Sequence, residues 1–189
     1  MRALTATIPG LTVLEPTVHA DGRGFFSETY REDWRERCGM PPGERFVQDN
    51  HSRSTRGVLR GMHFQVGAGV AKLVRCSRGR IVDVAVDLRR GSPTYGRWEA
   101  VELDDESMRA IYVPVGFAHG FCVLSDEADV LYKQTAYYDP ELERGIAYDD
   151  PDVAIAWPLP AEELIVSERD AAAPRLSEIA DELPFEWHP

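Results

Sequence analysis

The chain has 189 residues, of which 43% are hydrophobic, and its formal net charge is −11 at pH 7. This length fits one domain of ordinary size, and the hydrophobic content supports a packed core, which excludes a disordered protein. The negative charge argues against a nucleic-acid partner, and no apolar run approaches the roughly 20 residues that span a membrane.

The first 45 residues predict two extended segments and one short helix. Residues 11–16 and 24–30 are predicted to be extended. Residues 32–37 predict a helix that ends near Gly39, with two prolines soon after it.

The middle of the chain predicts an all-β core. Turn signals rich in glycine, proline and serine occur at residues 67–69, 78–79, 91–93 and 114–116. They separate segments whose residues favour strands. The predicted strands are residues 46–52, 57–65, 71–77, 80–88, 97–103, 109–113, 119–124 and 130–137.

The clearest strand pattern lies at residues 82–88, where apolar and polar or small residues alternate. Val82, Val84, Val86 and Leu88 share one face of this strand. An apolar face on each of many antiparallel strands needs a second sheet to cover it. We therefore predict a β-sandwich or jelly-roll barrel with a few short peripheral helices.

The C-terminal segment is more irregular, with short helices predicted at residues 161–164 and 176–179. It has too little apolar periodicity to form a core of its own, so we expect it to pack on the barrel. The whole chain, residues 1–189, is therefore interpreted as one domain with an arm (1–45), a core (46–138) and a packing tail (139–189).

The cysteines and the N-terminus favour an intracellular protein. Cys38, Cys76 and Cys122 are widely spaced and form no CxxC pair, so we expect reduced, mostly buried thiols. The N-terminus has no long apolar segment typical of a secretory signal, which favours a cytoplasmic location.

Two histidines lie in motifs that suggest chemistry. His119 belongs to the segment PVGFAHG, which has the P-x-G-x-x-H form of the second cupin motif. The first cupin motif supplies metal ligands as H-x-H followed by an acidic residue, but here His63 is followed by Phe64-Gln65, and then by Lys72. A lysine ammonium has no lone pair for a metal. The chain thus resembles a cupin barrel without its metal set, which predicts no metal or other cofactor and favours proton-transfer chemistry.

Several linked motifs identify the chain as similar to the dTDP-4-dehydrorhamnose 3,5-epimerase family. The similarity is collinear from Asp21 to Asp170. The motifs are QDNHS at 48–52, GVLRGMHFQ at 57–65, AKLVR at 71–75, DVAVDLR at 83–89, SPTYG at 92–96, GFAHGF at 116–121 and YK at 132–133.

The resemblance implies a substrate and a reaction. The substrate is a dTDP-4-keto-6-deoxy sugar, whose carbons 3 and 5 both flank the ketone. Removing a proton from either carbon gives an enolate, and reprotonation on the other face inverts the centre. This chemistry needs a base, an acid on the opposite face, and positive charge at the ketone oxygen.

The same resemblance implies the four catalytic residues. His63 matches the base, since a neutral imidazole suits proton abstraction near neutral pH. Asp170 matches the acidic partner that orients this imidazole. Tyr132 matches the acid on the far side of the sugar, and Lys72 is suited to stabilise the enolate.

Further positions are implied to bind the nucleotide sugar. Arg23 and Arg60 match diphosphate contacts, which suit guanidinium groups. Phe26 and Tyr138 are candidates to stack on thymine. The other implied substrate-binding positions are Glu28, Gln48, Asp49, Asn50, His119, Glu143 and Arg169. The resemblance also implies a homodimer in which the N-terminal arm with Arg23, Phe26 and Glu28 reaches the neighbour's pocket.

Two features leave questions open. Strict alternation puts Arg60 and His63 on opposite faces of one strand, so either a bulge at Gly61 turns both inward or Arg60 reaches in from the rim. The loop at residues 66–70 is glycine-rich and has Val70 where the family usually has glutamine.

Three alternative functions remain. A relative that inverts only carbon 3 or only carbon 5 would keep the same base and acid. A ketoisomerase of the same barrel type would need different proton placement, which the presence of Tyr132 argues against. A non-catalytic cupin that binds a sugar or a partner protein would have no need for a base and an acid on opposite faces.

Overall fold

The computed structural model describes residues 1–188, and its strands form two large sheets and one hairpin. The strands are β1 (Arg2–Thr5), β2 (Thr12–Glu15), β3 (Val18–Asp21), β4 (Gly24–Ser27), β5 (Gln48–Thr55), β6 (Leu59–Gln65), β7 (Lys72–Arg78), β8 (Arg80–Asp87), β9 (Trp98–Asp104), β10 (Ala110–Val113), β11 (Phe117–Val123), β12 (Glu127–Gln134) and β13 (Glu143–Gly145). The helices are α1 (Trp34–Arg37), α2 (Glu168–Ala171) and α3 (Leu176–Ile179), with 3-10 turns at Ala161–Glu163 and Ala180–Glu182.

The two large sheets pack face to face. The six-stranded sheet has the order β1-β2-β10-β7-β12-β5, and the five-stranded sheet has the order β13-β6-β11-β8-β9. All of the strand pairs in both sheets are antiparallel. The core between them joins Val74 and Ile111 of one sheet to Ile81, Ala85 and Phe121 of the other. This architecture confirms the predicted all-β, jelly-roll type of fold.

The strand with the clearest alternation is buried on both faces. Val84, Val86 and Leu88 pack against the C-terminal tail, in a cluster that includes Leu176, Leu183 and Phe185. The expectation that a second sheet covers this face was therefore wrong. The opposite face, with Ile81 and Ala85, meets the second sheet. The tail takes this position because the apolar outer face of the five-stranded sheet needs its own cover.

The N-terminal arm has one packed part and one projecting part. Trp34 at the start of α1 packs with Leu14, Leu73 and Tyr112 on the outer face of the six-stranded sheet. The β3–β4 hairpin instead leaves Phe26 68% exposed. Rings of this size are normally covered in a folded protein.

Most predicted strands were found with their ends shifted by a few residues. The helix predicted at residues 176–179 was found with the same bounds as α3. Strands β1, β3 and β13 and helix α2 were not predicted. The three cysteines are free and buried, as predicted. No helix within residues 1–188 is long and apolar enough to cross a membrane.

Candidate active site

A cleft of about 500 Å³ opens between the two large sheets and is bordered by the tail. Strands β6 and β11 contribute one wall, β5, β7 and β12 contribute the other, and residues 165–170 close the side. The structure therefore gathers residues that are far apart in sequence. The predicted site residues that line this cleft are Arg60, His63, Lys72, His119, Tyr132, Arg169 and Asp170.

A bulge at Gly61 brings Arg60 and His63 to the same cleft. His63 pairs with His119 and Arg60 pairs with Phe121, so β6 carries one more residue than β11 between the two pairs. Gly61 has a φ of +141°, and a Cβ there would lie 2.5 Å from the Cα atom of Gly120. Only glycine fits this position. The bulge, one of the two arrangements left open by the sequence, is the one observed.

His63 forms a pair with Asp170. Nε2 of His63 lies 2.7 Å from Oδ1 of Asp170, and the Gly61 amide donates to Oδ2 at 3.2 Å. Asp170 is positioned by α2, whose N-cap residue Ser167 accepts a hydrogen bond from the Asp170 amide. Burial opposes ionisation of Asp170, but its hydrogen bonds to His63 and Gly61 outweigh this and hold the pKa of Asp170 below its usual value. An ionised Asp170 accepts the Nε2 proton of His63 and leaves Nδ1 as the basic nitrogen.

Lys72 and His119 line a more deeply buried part of the cleft. Burial lowers the pKa of Lys72 to about 8, while the negative charges of Glu143 and Asp83 limit the fall. His119 lies 2.8 Å from Asp83, measured from Nε2 to Oδ2. Burial lowers the pKa of His119 despite this carboxylate. Near neutral pH, the site therefore holds a lysine cation beside a neutral imidazole.

Tyr132 reaches the cleft from the sheet opposite His63. It lies on β12 in the six-stranded sheet, whereas His63 lies on β6 in the five-stranded sheet. Burial raises the pKa of Tyr132, and the nearby charge of Glu143 adds to this effect. The phenol thus keeps its proton near neutral pH and is available as a proton donor.

Polar residues form one rim of the cleft. Gln48 and Asn50 point to the same side of β5, and both donate to the side-chain oxygen of Gln134, at 3.1 and 2.9 Å. Near them, Tyr138 donates to Glu143 at 2.9 Å. Arg169 also pairs with Glu143, at 2.5 Å.

Four predicted binding residues lie away from the cleft. Asp49 is on the outer face of β5, where it accepts from Lys133 at 2.8 Å, because successive strand residues point to opposite faces. Asp49 therefore does not line the cleft that holds His63, and its role in substrate binding stays a prediction. The other three, Arg23, Phe26 and Glu28, belong to the exposed arm.

Ser52 in the cleft and Asp83 behind it were not predicted as site residues. Ser52 lines the cleft two residues beyond Asn50, and the period of two along β5 could have indicated it. Asp83 contacts His119, and the alternating strand and the DVAVDLR motif that contain it assigned it no role. Its burial depends on neighbours that are distant in sequence.

Comparison with known proteins shows the family of the chain. Residues 5–178 match the family model described as dTDP-4-dehydrorhamnose 3,5-epimerase. The chain belongs to this epimerase family. It is 51% identical to the dTDP-4-dehydrorhamnose 3,5-epimerase of Pseudomonas aeruginosa, over 90% of this chain and 93% of that protein.

Other members of the epimerase family resemble the chain to a similar degree. An epimerase from Legionella pneumophila, solved in complex with dTDP-4-keto-L-rhamnose, is 46% identical with a TM-score of 0.94, over 100% of this chain and 99% of that one. A dTDP-4-dehydrorhamnose 3-epimerase from Streptomyces niveus is also 46% identical, over 96% of this chain and 86% of that protein. Percent identity therefore does not decide whether this chain is more similar to the 3,5-epimerases or to the 3-epimerases.

Proposed function

We propose that the protein epimerises dTDP-4-keto-6-deoxyglucose at carbons 3 and 5 and produces dTDP-4-dehydro-L-rhamnose. The observation that carries this proposal is the His63–Asp170 pair on one sheet of the cleft, with Tyr132 on the opposite sheet. A base and an acid on two sides of one ligand are what inversion by proton removal and return requires.

In the first step, Nδ1 of His63 takes the proton from the carbon beside the ketone. The electrons of the broken C–H bond move into the enolate, whose negative charge develops on the ketone oxygen. Asp170 remains ionised and stabilises the imidazolium ion that forms. A buried Lys72 ammonium beside the oxygen offsets the enolate charge more strongly than it could in water.

In the second step, the Tyr132 phenol gives its proton to the opposite face of the same carbon. The enolate collapses to the ketone, and the centre is inverted. Tyr132 regains a proton from solvent and His63 loses one to solvent, so the enzyme returns to its starting state. Repeating the sequence at the other flanking carbon completes the 3,5-epimerisation.

The nucleotide would occupy the rim and the mouth of the cleft. Arg60 and Arg169 supply guanidinium groups suited to a diphosphate. The further substrate contacts proposed are Gln48, Asn50, His119, Tyr138 and Glu143. As a nucleotide sugar enzyme, the protein is proposed to act in the cytoplasm.

The arm is proposed to complete the site of a second copy in a homodimer. Arg23 has a side chain that is 90% exposed and pairs only locally, with Asp21. Phe26 beside it is also exposed. Arg23 is suited to bind a diphosphate and Phe26 is suited to stack on a thymine ring. Neither residue lines the cleft of its own chain. A neighbour's cleft would give both residues a role.

Epimerisation at one carbon only is the second candidate function, and the similarity to the Streptomyces niveus 3-epimerase favours it.

A binding protein without catalysis is the third candidate, and one experiment separates it from both epimerases. Turnover of dTDP-4-keto-6-deoxyglucose and affinity for dTDP would be measured for the wild type, His63→Ala and Tyr132→Phe. We expect both variants to keep dTDP affinity within a few-fold and to lose turnover about 100-fold or more. A wild type that binds dTDP but shows no turnover would contradict the enzyme proposal.

A further inference from the structure

Asp83 is a fully buried carboxylate that no step above uses. Its Oδ2 atom accepts from Nε2 of His119 at 2.8 Å, and its exposed fraction is 0%. Its Oδ1 atom has no hydrogen-bond partner among residues 1–188. A fully buried, ionised carboxylate with one unpaired oxygen destabilises the folded protein unless a nearby positive charge offsets its charge.

Lys72 can offset this charge, because it lines the same cleft as His119, the residue that Asp83 contacts. The ammonium of Lys72 is buried in the same part of the molecule, and the charge of Asp83 favours its protonated form. Two other ionisable groups interact with Lys72: Glu143 from β13, which also favours the protonated form, and His119 from β11. His63 from β6 and Tyr132 from β12 share the cleft.

The two carboxylates differ in how their charge is already balanced. Glu143 has its own cation, because Arg169 lies 2.5 Å away and Tyr138 donates to the same oxygen. Within the described residues, the ion-pair partner of Asp83 is the imidazole of His119, which carries no permanent charge. The negative charge of Asp83 is therefore free to act on Lys72.

We propose that Asp83 is a positioning residue that keeps Lys72 as an ammonium ion for the enolate and holds His119 with its proton on Nε2. This inference rests on the proposed epimerase function. The Nε2 proton of His119 is donated to Asp83, which leaves Nδ1 of His119 as an acceptor for a sugar hydroxyl. Asp83 itself touches neither the substrate nor the reacting atoms.

Removing the charge of Asp83 should weaken catalysis more than binding. In Asp83→Asn, the side-chain oxygen can still accept from His119, but Lys72 loses its uncompensated counter-ion. Lys72 would then give up its proton at lower pH, and a neutral amine stabilises an enolate poorly. We expect the basic limb of the kcat profile to move down by about one pH unit, with little change in KM.

The composition of the chain makes Lys72 easy to observe directly. Lys72 and Lys133 are its two lysines, so protein labelled with 13C at the lysine Cε gives two signals to assign. Lys133, which pairs with Asp49 on the outer face, is the internal reference. The titration midpoint of Lys72 would be measured in the wild type, Asp83→Asn and Asp83→Thr. Threonine is the second variant because a β-branched residue suits a central strand if the asparagine variant does not fold.

Asp87→Asn is the matched control. Asp87 lies on the same strand and is equally buried, but its charge is balanced by Arg89 at 2.8 Å. We expect the Lys72 midpoint and the basic limb to fall in the Asp83 variants and to stay in place in Asp87→Asn. An unchanged midpoint in a folded Asp83 variant, or a rate loss that is equal at every pH, would overturn the proposal. A wild type without epimerase activity, but with a Lys72 midpoint that moves in the Asp83 variants, would overturn the proposed function while supporting the coupling.

Discussion

His63 and Asp170 are 107 residues apart in sequence, yet their side chains lie 2.7 Å apart in the cleft. The second carboxylate oxygen of Asp170 accepts from the amide of Gly61, two residues before His63. Asp170 therefore orients both the imidazole ring and the backbone bulge that carries it. This double contact links the position of the tail to the orientation of His63, the proposed base.

Asp170→Asn should lower kcat by about 100-fold or more, because an amide cannot stabilise the imidazolium ion that forms on His63. An asparagine NH2 facing Nε2 would also favour the tautomer with its proton on Nδ1, which cannot act as the base. Steady-state kinetics over a range of pH would measure the loss. Glu168→Gln is the control, because Glu168 lies on the same helix and is exposed. Equal losses in both variants would indicate a disturbed tail and argue against a specific role for Asp170.

The pH dependence of the His63–Asp170 pair follows from the direction of the Asp170 shift. The pKa of Asp170 is lower in the folded protein than in the unfolded chain, so the pair contributes stability above the ordinary aspartate pKa. This contribution should disappear as the pH falls through the lower, folded value. Thermal melts of the wild type and Asp170→Asn should therefore differ near neutral pH and converge in acid. A gap between them that widens with acidification would contradict this account.

Gly61→Ala should destabilise the fold by about 2–4 kcal/mol, since the position combines a positive φ with a backbone contact. A Cβ at this position would lie 2.5 Å from the Cα atom of Gly120. The free energy of unfolding would be measured by urea denaturation. Gly22→Ala is the control, because a Cβ at Gly22 meets no atom within 4 Å. A Gly61→Ala protein as stable as this control would mean that the bulge adapts.

The strands of the fold were predictable because turn signals rich in glycine, proline and serine separate segments whose residues favour strands, and because apolar residues alternate at 82–88. The same pattern could not say what covers each face, and the tail covers Val84 and Val86 where a second sheet was expected. Helix α2 was missed, although Ser167 is a recognisable N-cap residue at its start. The role of Asp83 was missed because it depends on distant neighbours. The separate positions of Asp49 and Gln48 follow directly from strand alternation.

The proposed arm exchange predicts complementation between two inactive proteins. His63→Ala has a damaged cleft and an intact arm, whereas Arg23→Ala has the reverse. A mixed dimer would contain one site built from the intact cleft and the intact arm. Random mixing should therefore restore about a quarter of the wild-type activity.

Measuring activity after unfolding and refolding the two proteins together would test the arm exchange. Each protein refolded alone is the control. Activity of the mixture that never exceeds the average of the two single proteins would argue that each arm serves its own chain or has no part in the site.

The most direct test of the central claim is solvent deuterium uptake by the sugar. The protein would be incubated with dTDP-4-keto-6-deoxyglucose in heavy water, and the sugar would be followed by proton NMR and mass spectrometry. The account predicts deuterium at both carbon 3 and carbon 5 with the wild type, and at neither carbon above background with His63→Ala. Uptake at carbon 3 alone would assign the protein to the single-centre epimerases. Absence of enzyme-dependent uptake at both carbons, with dTDP binding intact, would contradict proton transfer by His63 and Tyr132.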